Sequence, residues 1–112
     1  MKIKIKGTTL QCEVADNFWK RLVGLSFSRK KNMLFVFSHE AKWSFWMFLV
    51  RYPIKFVFIN KQKTVVDVKV GKPISLNANS WKVYKPRKTC KYVLETPSRL
   101  KVRVGDRVIK MC

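Results

Sequence analysis

WSFWMFLV, residues 43–50, carries seven apolar side chains and one serine. A membrane helix, a strand inside a protein core and the lining of a site all begin from such a run. A spanning helix needs about 20 consecutive apolar residues. Arg51 and Lys55 follow at once, with Pro53 between them. Each cation at mid-membrane costs roughly 2.5–3.5 kcal/mol on insertion scales. The run therefore reads as a strand, for which Trp, Phe and Val are well suited. Trp43, Phe45, Met47 and Leu49 alternate with Ser44, Trp46, Phe48 and Val50, so both faces are apolar. Such a strand belongs between two covered layers, and the expectation is a central, buried position.

Outward from this stretch the periodicity is mostly that of strands. Lys2–Lys6 alternates with period two, and Gly7 and Thr8 form a turn into a second strand at Leu10, Cys12 and Val14. Asp16 can cap a helix. Phe18, Trp19, Leu22, Val23 and Leu25 then follow at helical spacing, with Gly24 near the end. One short helix is expected at 17–25. Met33–Phe37 is the next strand, His39–Lys42 a turn, Phe56–Ile59 a strand and Asn60–Lys63 a polar connection. Further strands are expected at Thr64–Val70, Trp81–Tyr84 and Cys90–Glu95, with Gly105-Asp106 turning into Val108 and Ile109. Many short strands and one helix give an all-β barrel or sandwich, in a single domain over residues 1–112.

The chain has 112 residues with 25 Lys+Arg against 6 Asp+Glu, a net charge of +19. Such a field draws polyanions. Three cysteines without a CxxC pair read as reduced thiols, and the alternating charge of residues 1–6 excludes the apolar core of a signal peptide. A cytoplasmic protein with no membrane partner is the expectation. His39-Glu40 opens like HExxH, but Ser44 and Phe45 stand near where the second histidine would be. His39 is the only histidine, so no metal or cofactor is expected. No Gly-rich phosphate loop, GxSxG elbow or paired-carboxylate motif occurs. Cys90, between Lys88 and Lys91, sits among cations that lower a thiol pKa, although a small buried residue fits its strand equally.

The basic segment 81–92 interleaves Lys82, Lys85, Arg87, Lys88 and Lys91 with Trp81, Tyr84 and Tyr92. Cations neutralise phosphates and aromatic rings stack on bases, the mixture used by binders of single strands. A lysine-rich surface that only confers solubility fits the same residues.

Arg21-Leu22-Val23-Gly24-Leu25, Asn32-Met33-Leu34-Phe35-Val36-Phe37, Phe45-Trp46-Met47 and Tyr52-Pro53-Ile54 come in order. They are followed by Thr64-Val65-Val66-Asp67-Val68, Tyr84-Lys85-Pro86-Arg87-Lys88, Tyr92-Val93-Leu94-Glu95 and Gly105-Asp106-Arg107-Val108. The ordered set, over about residues 12–110, resembles domain of unknown function 192, also called uncharacterised protein family 0127. The Tyr-Lys-Pro-Arg-Lys stretch resembles its archaeal members. The resemblance implies a β-barrel or jelly-roll-like domain with a short helix and a cytosolic location, and it brings no substrate or reaction. Phe48, Leu49 and Val50 replace the Lys-Asn-Thr of many members, Lys55 replaces an acid, and Ser98-Arg99 replaces a glycine. These departures turn the reading from an enzyme toward a binding module for RNA or single-stranded DNA. Arg21, Arg51, Tyr84, Lys85, Arg87, Lys88 and Tyr92 are its candidate residues, with no catalytic group among them. A pocket in which Arg21, Arg51 and Arg87 converge on a small anion, or a structural subunit of a larger complex, are the alternatives.

Overall fold

Met33–Phe37 and Phe56–Ile59 are apolar on both alternating faces, and each lies inside the main sheet rather than at its edge. The computed structural model describes residues 2–5, 7–15, 32–43, 45–46, 54–71, 83–96 and 100–111. Every described element is a strand: β1 (Lys2–Ile5), β2 (Thr8–Ala15), β3 (Asn32–Ala41), β4 (Phe45–Trp46), β5 (Ile54–Ile59), β6 (Val65–Gly71), β7 (Val83–Tyr84), β8 (Cys90–Thr96) and β9 (Val108–Met111). Seven of them form one sheet in the order β6-β5-β8-β3-β2-β1-β9, and β4 pairs with β7 alone. The fold is all-β. The expected helix at 17–25 lies outside the described residues, and a jelly-roll pairing of two large sheets does not appear among the described strands.

The β1–β2 hairpin follows directly from the sequence. Lys2 and Lys4 are exposed while Ile3 and Ile5 are buried, and Gly7 turns the chain at φ 78°, a conformation that glycine adopts at no steric cost. β2 and β3 pair in parallel, from Cys12↔Asn32 to Ala15↔Phe35. A parallel pair needs a crossover of about a dozen residues or more, which residues 16–31 supply. The remaining neighbours in the sheet are antiparallel.

The sheet curls until its edges touch. Val65 N donates to the Asp106 carbonyl, Gly105 N to the Val65 carbonyl and Val108 N to the Lys63 carbonyl, each at 2.8 Å. Thr64 and Arg107 form the bridge between them. Gly105, at φ 98°, makes the turn that presents these groups. One core therefore draws on all seven strands: Ile3, Cys12, Leu34, Val57, Val65, Leu94 and Val108 all belong to it. This is the inner core of the barrel-like sheet. A second core lies on the outer face of β3, β5 and β8 and is aromatic, built on Phe35, Phe37, Phe56 and Phe58. Trp43 packs on it, its ring stacked on Phe37 at 4.2 Å and 8°.

The expected central strand at 43–50 is thereby corrected. Two of its residues, Phe45 and Trp46, pair with Tyr84 and Val83 in the small sheet, and residues 47–50 lie outside the described set. Apolarity on both faces could not say which sheet takes the segment. Trp43, just after β3, packs on the outer core. His39–Ala41 is likewise not a turn but the end of β3. Pairing with β8 breaks there: Val36 faces Tyr92, and the next partners are Ala41 and Cys90. The extra β3 residues form a bulge, which a period-two reading mistakes for the end of a strand.

Candidate functional site

The bulge of β3, the β5–β6 turn and the loop before β8 meet at one rim of the sheet. Glu40, in the bulge, accepts a hydrogen bond from Lys61 N at 2.9 Å, which ties the β5–β6 turn to it. Within that turn Asn60 Oδ1 accepts from Thr64 N at 2.9 Å, and Lys63 takes a left-handed φ of 64°. The backbone N–H of Trp43 bonds the Cys90 sulfur, and the Cys90 thiol lies 3.6 Å from the Ala41 carbonyl it donates to. The start of β8 is thus held against the end of β3.

Asp67 fixes the basic loop. It sits on β6, opposite Phe58 and almost fully buried. Its Oδ1 accepts from Val68 N at 2.9 Å and its Oδ2 from Arg87 N at 3.0 Å, with Lys69 Nζ at 3.7 Å. Pro86 is buried beside it, so Lys85, Arg87 and Lys88 stand exposed on an anchored backbone. Asp67→Ala leaves two backbone N–H groups without this acceptor. The expected loss is about 1–3 kcal/mol in urea denaturation, with faster amide exchange at Arg87 than at Val93.

The acids here serve the backbone. Asp67 and Glu40 accept from main-chain N–H groups, and Asp106 Oδ2 accepts from Arg103 N at 2.7 Å. Among the described residues no carboxylate lies within ion-pair distance of Lys61, Lys63, Lys85, Arg87 or Lys88. These side chains are all exposed, as are Lys42, Arg103 and Arg107. The bridge at Thr64–Arg107 joins the last two to the same rim.

The candidate residues fall as follows. Lys85, Arg87 and Lys88 come together in the anchored loop. Tyr84 lies in β7, and the structure does not describe its side chain. Tyr92 is half-buried against the inner core with the Lys91 ammonium 5.8 Å above its ring, so that ring is already engaged within the molecule. Arg21 and Arg51 lie outside the described residues, which leaves Arg87 as the described member of the arginine trio. Cys90 does not have the lowered pKa that its lysine neighbours suggest. Burial pushes its thiol up to about 11, as it does that of Cys12. Among the described residues no three of His, Cys, Asp and Glu gather as a metal site would require, and no helix is long and apolar enough to cross a membrane.

Sequence reading missed three residues. Asp67 pairs with a cation, Lys69 at 3.7 Å, and also organises the loop through backbone bonds that the sequence does not reveal. Trp43 was assigned to a central strand and His39 was weighed only as a metal ligand. In the structure His39 is exposed, its Nδ1 lies 2.9 Å from Ser38 Oγ, and its ring is 5.1 Å from that of Trp43. Glu95 is a different case. It lies in β8 on the outer aromatic face, between Met33 and Phe56, 5% exposed, and its carboxyl has no hydrogen-bonding or ionic partner among the described residues. Burial pushes it from the ordinary value of 4.5 up to about 8.

Similarity to known proteins agrees with this fold. A UPF0127 protein of Pyrococcus furiosus is 38% identical over 112 residues, covering 92% of this chain and 90% of that protein. A UPF0127 protein of Pyrococcus abyssi is 35% identical, covering 86% and 82%. A Novosphingobium aromaticivorans protein of unknown function superposes with a TM-score of 0.78 at 19% identity, covering 96% of this chain and 82% of that one. A Sinorhizobium meliloti protein, described as a proposed transcription regulator, gives 0.77 at 24% identity, covering 96% and 88%. The DUF192 family model, described as "Uncharacterized ACR", matches residues 1–109, and the chain belongs to that family.

Proposed function

We propose that this protein is a binding module for a polyanion, with RNA or single-stranded DNA as the partner, acting in the cytoplasm and without a catalytic step of its own. The observation that carries the reading is the basic loop pinned by Asp67. Lys85, Arg87 and Lys88 are held on a fixed backbone, and among the described residues no carboxylate neutralises them. An immobilised loop loses less entropy when it meets phosphates than a free one does. Lys61, Lys63 and Arg107 extend the same charge along the rim, and the net charge of +19 adds long-range attraction. The buried thiols Cys12 and Cys90 suit a reducing compartment.

Binding to single-stranded RNA should weaken steeply with salt. Each phosphate contact on a single strand contributes about 0.7 to the slope of log K against log salt. Reversing Lys85, Arg87 and Lys88 to glutamate should lower the slope by about 2, as read by fluorescence anisotropy across a salt series. An unchanged slope would move the footprint away from this loop, and no binding at low salt would end the proposal.

A further inference from the structure

We infer that Trp43 and His39 form a nucleobase-stacking platform set into the basic rim, so that the preferred ligand is an unpaired strand rather than any polyanion. This rests on the polyanion reading above and makes it specific.

The platform is built by the β3 bulge. Between Val36 and Ala41 the strand carries extra residues, and bulges commonly re-aim side chains near functional sites. Phe37 stays in the outer core, while His39, two residues on, is exposed. Trp43 folds back over both. One face of its indole rests on Phe37, nearly parallel at 8°. Its Nε1 donates to the His39 carbonyl at 3.2 Å, and the imidazole stands at its margin, tilted by 59°. The indole is half-buried, and beyond these two rings no further ring stacks on it among the described residues. The parallel stack leaves the opposite indole face turned away from Phe37. A ring held from below and behind has already lost its rotamer freedom, so stacking a base on it costs little ordering.

Its position supplies the second requirement. Lys42 adjoins Trp43 in the chain and is exposed. The Trp43 amide touches Cys90, two residues after Lys88. Glu40, between His39 and Trp43 in the chain, holds Lys61 N. Cations for phosphates therefore flank an aromatic surface for bases, the pairing that recognises single strands without sequence preference. A duplex hides its base faces and cannot use the platform.

The test measures anisotropy of labelled oligo(dT), oligo(rU), an abasic oligonucleotide of equal length and a duplex of equal length, at two salt concentrations. The wild-type protein should prefer oligo(dT) or oligo(rU) over the abasic strand by roughly 5- to 30-fold. The tighter of the two names the natural strand. Trp43→Leu and His39→Ala should each erode that preference while leaving affinity for the abasic strand within twofold, and Trp43→Phe should retain most of it. His39 is exposed, so its variant keeps the test valid should Trp43→Leu fail to fold. Equal binding of the abasic strand, or a duplex bound as tightly as the single strand, overturns the platform and leaves the polyanion reading intact. Failure to bind any of the four at low salt overturns both.

Discussion

Replacing Glu95 with glutamine should make the protein more stable above neutral pH and change the form of its stability curve. The native carboxyl holds its proton up to about pH 8, whereas in the unfolded chain it ionises near 4.5. Between those values the native state binds more protons than the unfolded state, so stability falls as pH rises. The stabilising effect of the retained proton is complete below pH 4.5 and is lost through the folded pKa. The slope approaches about 1.4 kcal/mol per pH unit within the window. Over the whole window the loss is on the order of several kcal/mol. Glutamine keeps the size and removes the titration. Any fixed cost of its buried amide displaces the curve without tilting it. Urea denaturation of both proteins from pH 4 to 9 should therefore give a difference that grows in favour of Glu95→Gln and levels off above pH 8. Parallel curves would mean that the carboxyl is hydrated or paired.

Phe58→Ala should cost about 3–5 kcal/mol, the range for large aromatic truncations in a packed core. Phe58 lies on the outer face of the sheet, where a solvent-facing ring would matter little. It is fully buried, stacks with Phe56 at 6.3 Å and pairs across strands with Asp67 and Val93. Truncation removes the ring and leaves a void beside a buried carboxylate. The midpoint of urea unfolding should fall with little change in the slope. A loss below about 1 kcal/mol would place the ring in water.

Local features were readable in the sequence. The Lys-Ile alternation, the turn at Gly7, the strand expected at Thr64–Val70 and found at Val65–Gly71, and the Gly105-Asp106 turn each depend on neighbours a few residues away. What escaped is set by distant partners. Apolarity on both faces fits Phe45-Trp46 as well as Phe56–Ile59, and the pairing of β5 with β8, almost 40 residues on, decides which of them is inside the sheet. His39 and Glu40 carry turn-like polarity, but the ladder from β8 resumes at Ala41 and keeps them in β3. The basic loop was visible as composition. Its rigidity was not, because the acceptor for Arg87 N lies 20 residues earlier in another strand. Glu95 appeared as an ordinary strand acid, since nothing near it in sequence reveals that both flanking strands offer only Met33 and Phe56.

The seam at Lys63–Val65 and Gly105–Val108 has a bearing on biosynthesis. On a translating ribosome β3 and β5 emerge before β8, the strand that lies between them, and before the seam that completes the inner core. During that interval the most aromatic strands present bare edges and uncovered rings, the condition in which nascent chains pair with the wrong neighbour. Cooperative folding must wait for residues 90–108 to leave the exit tunnel, and until then the strands made earlier stay without the partner that covers their edges.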